Sequence, residues 1–255
     1  MPESSAVLFE KLVRDGFAKE DVLLVDNGSD KFPMPDQTNF KLPYNIRFTG
    51  QAYMALTYLL DFFDDQNYLL ITTSGRLLDE INYKEKFEKH LITHAENYGF
   101  ISAGLFGGLT PSNAPDQMFA PQGGGLAKVY RYQPIVMMVS RKLLEVCRRY
   151  SAAYFNLKLK RGWGIDRELQ FMANLTEINC YVDRSLPVEW LTNSTHASGR
   201  ADESTKSYWQ AAGSEMEKCF ELKYGSDWEK LFLKAFAGDL ILNSSGDILN
   251  KECEI

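Results

Sequence analysis

Asp26, Asn27 and Gly28 end an apolar run, DVLLVDNGSD at residues 21–30, and this is where the sequence first offers chemistry. Four apolar residues running into a polar turn read as a buried parallel strand with an open carboxyl end. In open α/β sheets, ligands bind outside that end. Asp26 can accept hydrogen bonds there from a base N–H or a ribose hydroxyl, and Gly28 permits backbone conformations that other residues resist. The same residue types also build an ordinary turn. A second group, Asn45, Arg47 and Gly50, leads into a helical pattern, and an arginine so placed can grip a phosphate through two parallel hydrogen bonds. The third group is Gly162-Trp163-Gly164-Ile165-Asp166. Asp166 carries a carboxylate, a group able to act as a general base. It is also placed to cap the helix that follows.

These residues need elements to hold them. Residues 5–17 have a helical apolar stripe, and residues 22–25 read as the first strand. A loop rich in Pro, Asp and Asn follows to residue 43. Residues 50–63 are periodic like a helix, and NYLLIT at 67–72 reads as a second buried strand. Helix, strand, loop, helix, strand implies a parallel sheet with right-handed crossovers. Further helices are expected at 79–97, 140–149, 166–175, 203–223 and 227–237. Further strands are expected at 98–105, 129–139 and 178–183, with a last short one at 239–242. Residues 106–126 form the loosest stretch, of the length that shapes a binding site. With no repeat and no linker, the pattern reads as one domain over residues 1–255.

Composition narrows the function. The net charge of −6 argues against a nucleic-acid groove, which needs a basic footprint. The four cysteines, Cys147, Cys180, Cys219 and Cys253, are far apart and read as free thiols in a reducing compartment. No apolar run reaches the length of a membrane span. The opening MPESSAVLFEKL lacks a basic segment followed by an apolar core, so no signal peptide is expected and the chain reads as cytoplasmic. His90 and His94 stand four apart, a spacing that can bind zinc, but no third ligand is in line, since Glu96 falls elsewhere on the helix.

The three groups occur in an order that resembles the glycosyltransferase-A fold, and within it the family-two-like inverting transferases. There a strand ends in Asp-x-Gly-Ser-x-Asp, a turn like Asn-x-Gly-Phe enters a helix, and a later Gly-Trp segment carries an acidic residue. The resemblance covers roughly residues 5–200 and implies a Rossmann-like, mostly parallel α/β sheet flanked by helices. It implies a nucleotide-sugar donor held by Asp26, Asn27, Asn45, Arg47 and Gly50, and a carbohydrate acceptor beside Trp163 and Gly164. Asp166 is then the base, and His196 a contact to the diphosphate or to a metal.

The chain departs from that pattern twice. Where the resemblance leads one to expect Asp-x-Asp for Mg²⁺ or Mn²⁺, this sequence has Thr72-Thr73-Ser74-Gly75-Arg76. Hydroxyls are poor ligands for these hard cations beside carboxylates. Thr72, Thr73, Ser74 and Arg76 would then face the diphosphate without a metal, or the chain is an inactive relative that binds a saccharide or a partner. The fold also normally opens with a strand before its first helix. A larger polypeptide, a partner chain or the tail strand at 239–242 is expected in that place.

Overall fold

The computed structural model describes residues 2–28, 36–94, 97–106, 125–130, 132–151, 153–154, 156–191 and 204–251. The chain is a mixed α/β protein with a central mixed sheet flanked by helices. The helices are α1 (Pro2–Arg14), α2 (Arg47–Phe62), α3 (Tyr83–His94), α4 (Arg141–Ser151), α5 (Ile165–Leu175), α6 (Thr205–Tyr224) and α7 (Trp228–Ala237). The strands are β1 (Val25–Asp26), β2 (Phe40–Lys41), β3 (Asn67–Ile71), β4 (Gly75–Leu77), β5 (Tyr98–Phe106), β6 (Leu126–Lys128), β7 (Val136–Ser140), β8 (Asn179–Trp190), β9 (Leu240–Leu242) and β10 (Ile248–Asn250).

The main sheet runs β3-β7-β5-β8-β4, with β6 also on β8. Its pairings correct the expected mostly parallel sheet, because among the described residues only β5 and β8 run parallel and every other pair in it is antiparallel. The strand expected at 22–25 is shorter and stands outside this sheet, paired parallel with β2 alone. Side chains explain its departure. The Asn39 Oδ1 accepts from Leu24 N–H at 2.7 Å, and Gln51 Nε2 of α2 donates to the Val25 carbonyl at 2.9 Å. Backbone groups that would join a ladder are already used. The strand at 239–242 does not fill a place in the main sheet either. β9 pairs with β10 as a hairpin whose turn is tied by Asn243 and Asp247.

β8 is twice the expected length for a local reason. The expected strand stops at Asp183, yet the strand bulges there and continues through Pro187, whose register partner is Gly104. Proline is tolerated in sheets at bulges. The Asp183 Oδ1 accepts from Ser185 N–H at 2.8 Å and from its hydroxyl at 2.6 Å, which ties the bulge. His90 Nε2 of α3 meets Asp183 Oδ2 at 2.6 Å, and Tyr83 donates to the Pro187 carbonyl at 2.6 Å. Those bonds from His90 and Ser185 outweigh the burial of Asp183 and hold its carboxyl below the usual range.

Each face of the sheet buries its own core. Met137 and Val139 of β7 join Leu56, Leu60, Phe100, Leu169, Phe220 and Phe232 on the side of α2, α4, α5, α6 and α7. Val136 and Met138, alternating with them as a strand requires, join Leu12, Tyr83, Phe87, Ile101 and Val188 on the side of α1 and α3. The end of α2 is fastened by Arg141, which donates to the carbonyls of Leu60 and Phe63 at 2.9 and 2.8 Å and to the Tyr68 hydroxyl at 2.9 Å. Arg141→Met is expected to cost about 2 kcal/mol, since three acceptors lose a charged donor. A denaturant midpoint equal to the parent's overturns that role.

Candidate functional site

The turn after β1 is locked to the start of α2. Asn27 donates through Nδ2 to the Arg47 carbonyl at 3.1 Å and accepts through Oδ1 from Ile46 N–H at 2.9 Å. Asn45 Oδ1 accepts from Arg47 N–H at 2.7 Å. Arg47 opens α2 at φ 66°, in the left-handed region that few non-glycine residues occupy. Gly28 has φ 73°, and a Cβ there would come within 3.0 Å of the Tyr44 carbonyl carbon and the Asn45 nitrogen. Only glycine fits so close a backbone approach.

The same helix start meets the third group. Thr49 donates to the Leu159 carbonyl, and the Phe48 ring lies where a Cβ on Gly162 would stand. Gly164, at φ 92°, caps α5 and packs on Met216 and Phe220 of α6. Trp163 remains 40% exposed and rests against Gly213 of α6. The three sequence groups are thus brought together as β1 turn, α2 start and α5 start.

Asp166 lies in the first turn of α5, half-buried. Burial pushes its carboxyl up to about 6, opposed by the Arg167 guanidinium and by the backbone amides of Asp166, Arg167 and Gly164. A carboxyl poised near neutrality suits proton transfer. The sequence gives equal weight to capping and to base chemistry, and this geometry holds both, because the amides that a cap would use face the same carboxylate. Glu168, one side over, is 6% exposed and accepts from Lys223 Nζ at 3.0 Å and from the Tyr224 hydroxyl at 2.8 Å. It anchors α6 to α5.

Other expected residues are placed differently. Asp26 is 2% exposed, so its carboxylate stands inside the protein rather than projecting from an open strand edge. Gly50 stands on α2 against Ile46. Thr72, Thr73 and Ser74 carry the chain from β3, at one edge of the main sheet, to β4, at the other. Their backbone partners are the Ile135 carbonyl, bonded by Thr72 N–H at 2.8 Å, and Leu191 N–H, bonded by the Ser74 carbonyl at 2.8 Å. Arg76 pairs with Glu189 of β8. These bonds do not reach the Asn27–Arg47 lock. Residues 107–124, which make up most of the expected acceptor loop, lie outside the described residues, as do His196 and the side chain of His94.

Sequence reasoning missed Tyr132. It is 1% exposed, its ring lies 4.0 Å from that of Phe100, and its hydroxyl has no hydrogen-bond partner among the described residues. No local pattern marks it, since a tyrosine beside an expected strand reads as core. No three His, Cys, Asp or Glu side chains converge among the described residues, so Mg²⁺ or Mn²⁺ is given no ligand set by them. The two best-formed cavities among them each offer about 10 Å³, the lower limit for one water. No described helix is long and apolar enough to cross a membrane.

The described residues form a mixed α/β protein in which the turn after β1 is locked to the start of α2 and a carboxyl raised by burial stands in the first turn of α5. Compared with known proteins, the chain matches no family model and no curated sequence.

Proposed function

We propose that the chain is a glycosyltransferase of the glycosyltransferase-A type, moving a sugar from a nucleotide donor to a carbohydrate hydroxyl with inversion. What supports this reading is the lock between the Asn27–Gly28 turn and the Asn45–Gly50 helix start, the contact of Phe48 of that helix with Gly162 before α5, and the Asp166 carboxyl pushed up to about 6 in the first turn of α5. In the step, an Asp166 oxygen takes the acceptor's hydroxyl proton. The acceptor oxygen bonds to the anomeric carbon from the opposite face, and the nucleoside diphosphate leaves with the bonding electron pair. Arg47, exposed at the start of α2, is the cation placed to receive the diphosphate. No step runs through a metal.

The edge of β3 suits the expected extra strand. The carbonyl of Gln66 and the N–H of Thr72 bond toward β7 and its flanks, so by the antiparallel alternation Asn67, Leu69 and Ile71 turn their backbone groups to the side on which no described strand pairs. A strand from a larger polypeptide or a partner chain can pair there.

Donor binding is testable by melting the chain against nucleotide sugars, with and without Mn²⁺. A donor at 100 times its Kd should add about 2.7 kcal/mol of stability. A flat response to uridine, guanosine, thymidine and cytidine diphosphate sugars removes the donor-binding reading. The second reading, an inactive relative that binds a saccharide or partner, is favoured by Thr72-Thr73-Ser74 standing where carboxylates are expected.

A further inference from the structure

The two edges of the main sheet are built differently. At one side β4 and β6, three residues each, carry the cations Arg76 and Lys128. Short strands and charged side chains are the usual protection of a sheet edge. At the other side β3 has neither. Its five residues, Asn67-Tyr-Leu-Leu-Ile71, hold no charge and no proline, and its register with β7 has no bulge. All but Tyr68 are part-exposed, whereas β7 beside them is buried throughout. Phe62 and Phe63, 72% and 40% exposed where α2 leads into β3, add apolar surface next to the same edge. An edge of this kind is a template for another chain.

We propose that the other chain is a second copy of this one, its β3 pairing antiparallel with the first across a two-fold axis through Leu69. The outward backbone groups fix that register. Asn67, Leu69 and Ile71 face out, so Leu69 stands opposite its own counterpart and Asn67 opposite Ile71 of the second copy. The three pairs so formed each exchange two hydrogen bonds, and any other register loses at least one pair. Side chains agree. Leu69 and Ile71 lie on the face of α1 and α3, and Tyr68 and Leu70 on the opposite face. Across the axis Leu69 meets its counterpart and Leu70 meets Tyr68, apolar pairs of the kind that stabilise sheets. Charge agrees as well. Asp64 and Asp65, both exposed, stand just before β3. The antiparallel register sets them against Ser74 and Thr73 of the second copy, whereas a parallel one aligns acid with acid. The pairing rests on the open edge of β3, whether or not the chain transfers sugar.

Mass and association in solution test it. Sedimentation of the parent chain at up to about 100 μM, where a complex with a Kd of about 1 μM is nearly complete, should give twice the 29.1 kDa of one chain. A single-chain mass throughout overturns the proposal and leaves the edge to a strand of a larger polypeptide. Leu69→Lys and Leu69→Glu each set two like charges face to face on the axis, and each should raise the Kd by about tenfold or more. Mixed in equal amounts they set Lys against Glu, and tight association should return. Variants that keep the parent's Kd overturn the proposal, as does a mixture no tighter than either variant alone. If either variant melts far below the parent, Leu69→Cys decides, because the paired Cα atoms stand about 5.5 Å apart, within reach of a disulfide. Covalent dimer above the parent's own level under mild oxidation supports the pairing, and no excess overturns it.

Discussion

Asp166→Asn is expected to cut sugar transfer by orders of magnitude and to make the protein more stable at neutral pH. The two effects have one origin. The Asp166 carboxyl titrates at about 6 in the folded chain against 3.8 for an unperturbed aspartate. Below 3.8 both folded and unfolded chains hold the proton, and the group contributes nothing. Between 3.8 and 6 the unfolded chain has lost its proton while the folded chain keeps it, so stability falls as pH rises. Above 6 both are ionised and the full penalty stands, at most about 3 kcal/mol for a shift of this size. Asparagine cannot ionise, and its side-chain oxygen still accepts from the amides at the start of α5. The variant should therefore melt higher than the parent at pH 8, and most of the difference should be gone by pH 4. Transfer should drop by about 10²–10⁴, the usual contribution of a general base. In the parent, transfer should rise with pH through about 6 as the base is freed. A variant that still transfers removes Asp166 as the base, and a variant whose advantage over the parent is no larger at pH 8 than at pH 4 removes the raised carboxyl.

Gly28→Ala should be among the most damaging single substitutions outside the core. Two effects add. The left-handed backbone at φ 73° disfavours any side chain, and the new Cβ would stand within 3.0 Å of main-chain atoms of Tyr44 and Asn45. Main chain cannot swing aside as a flexible side-chain tip can. The expected loss is about 4 kcal/mol, in the range that marks a specific structural fault. The lock made by Asn27 on Ile46 and Arg47 should open with it, so a donor that shifts the parent's melt should lose its effect. Gly225→Ala is the matched control, with φ 87° and nothing within 4 Å of the added carbon. It should lose about 1 kcal/mol, the strain alone. Equal losses in the two variants would show that the turn does not approach the start of α2 so closely.

Local patterns made the helices legible and left the strand pairing hidden. The stripes of α2, α5 and α7 and the apolar runs of β3 and β5 are local, and the elements form where those residues lie. Pairing is not local. Nothing in LLVD reveals that Gln51 and Asn39 will occupy its backbone and keep β1 from the main sheet. Nothing in Asp183-Arg184-Ser185 distinguishes a turn from a bulge until Tyr83 and His90 arrive from α3. The site divides the same way. Asn27, Gly28, Asn45 and Gly164 were legible because their types fit strained or capped backbone. Tyr132 was not, because an unpartnered hydroxyl is a property of its surroundings.

The parallel pairing of β5 with β8 bears on how the chain is made. Eight of the nine residues of β5 are buried, and no hairpin can supply a parallel neighbour. β7 emerges 30 residues later, and β8 ends 84 residues after β5, at residue 190 against 106. At the usual pace of synthesis, that interval is about 5–15 s. For that time the central strand is an apolar ribbon with at least one bare edge, open to chaperones and to other nascent chains. The yield of native protein should then depend on the speed of translation between residues 106 and 190 as well as on the stability of the finished fold.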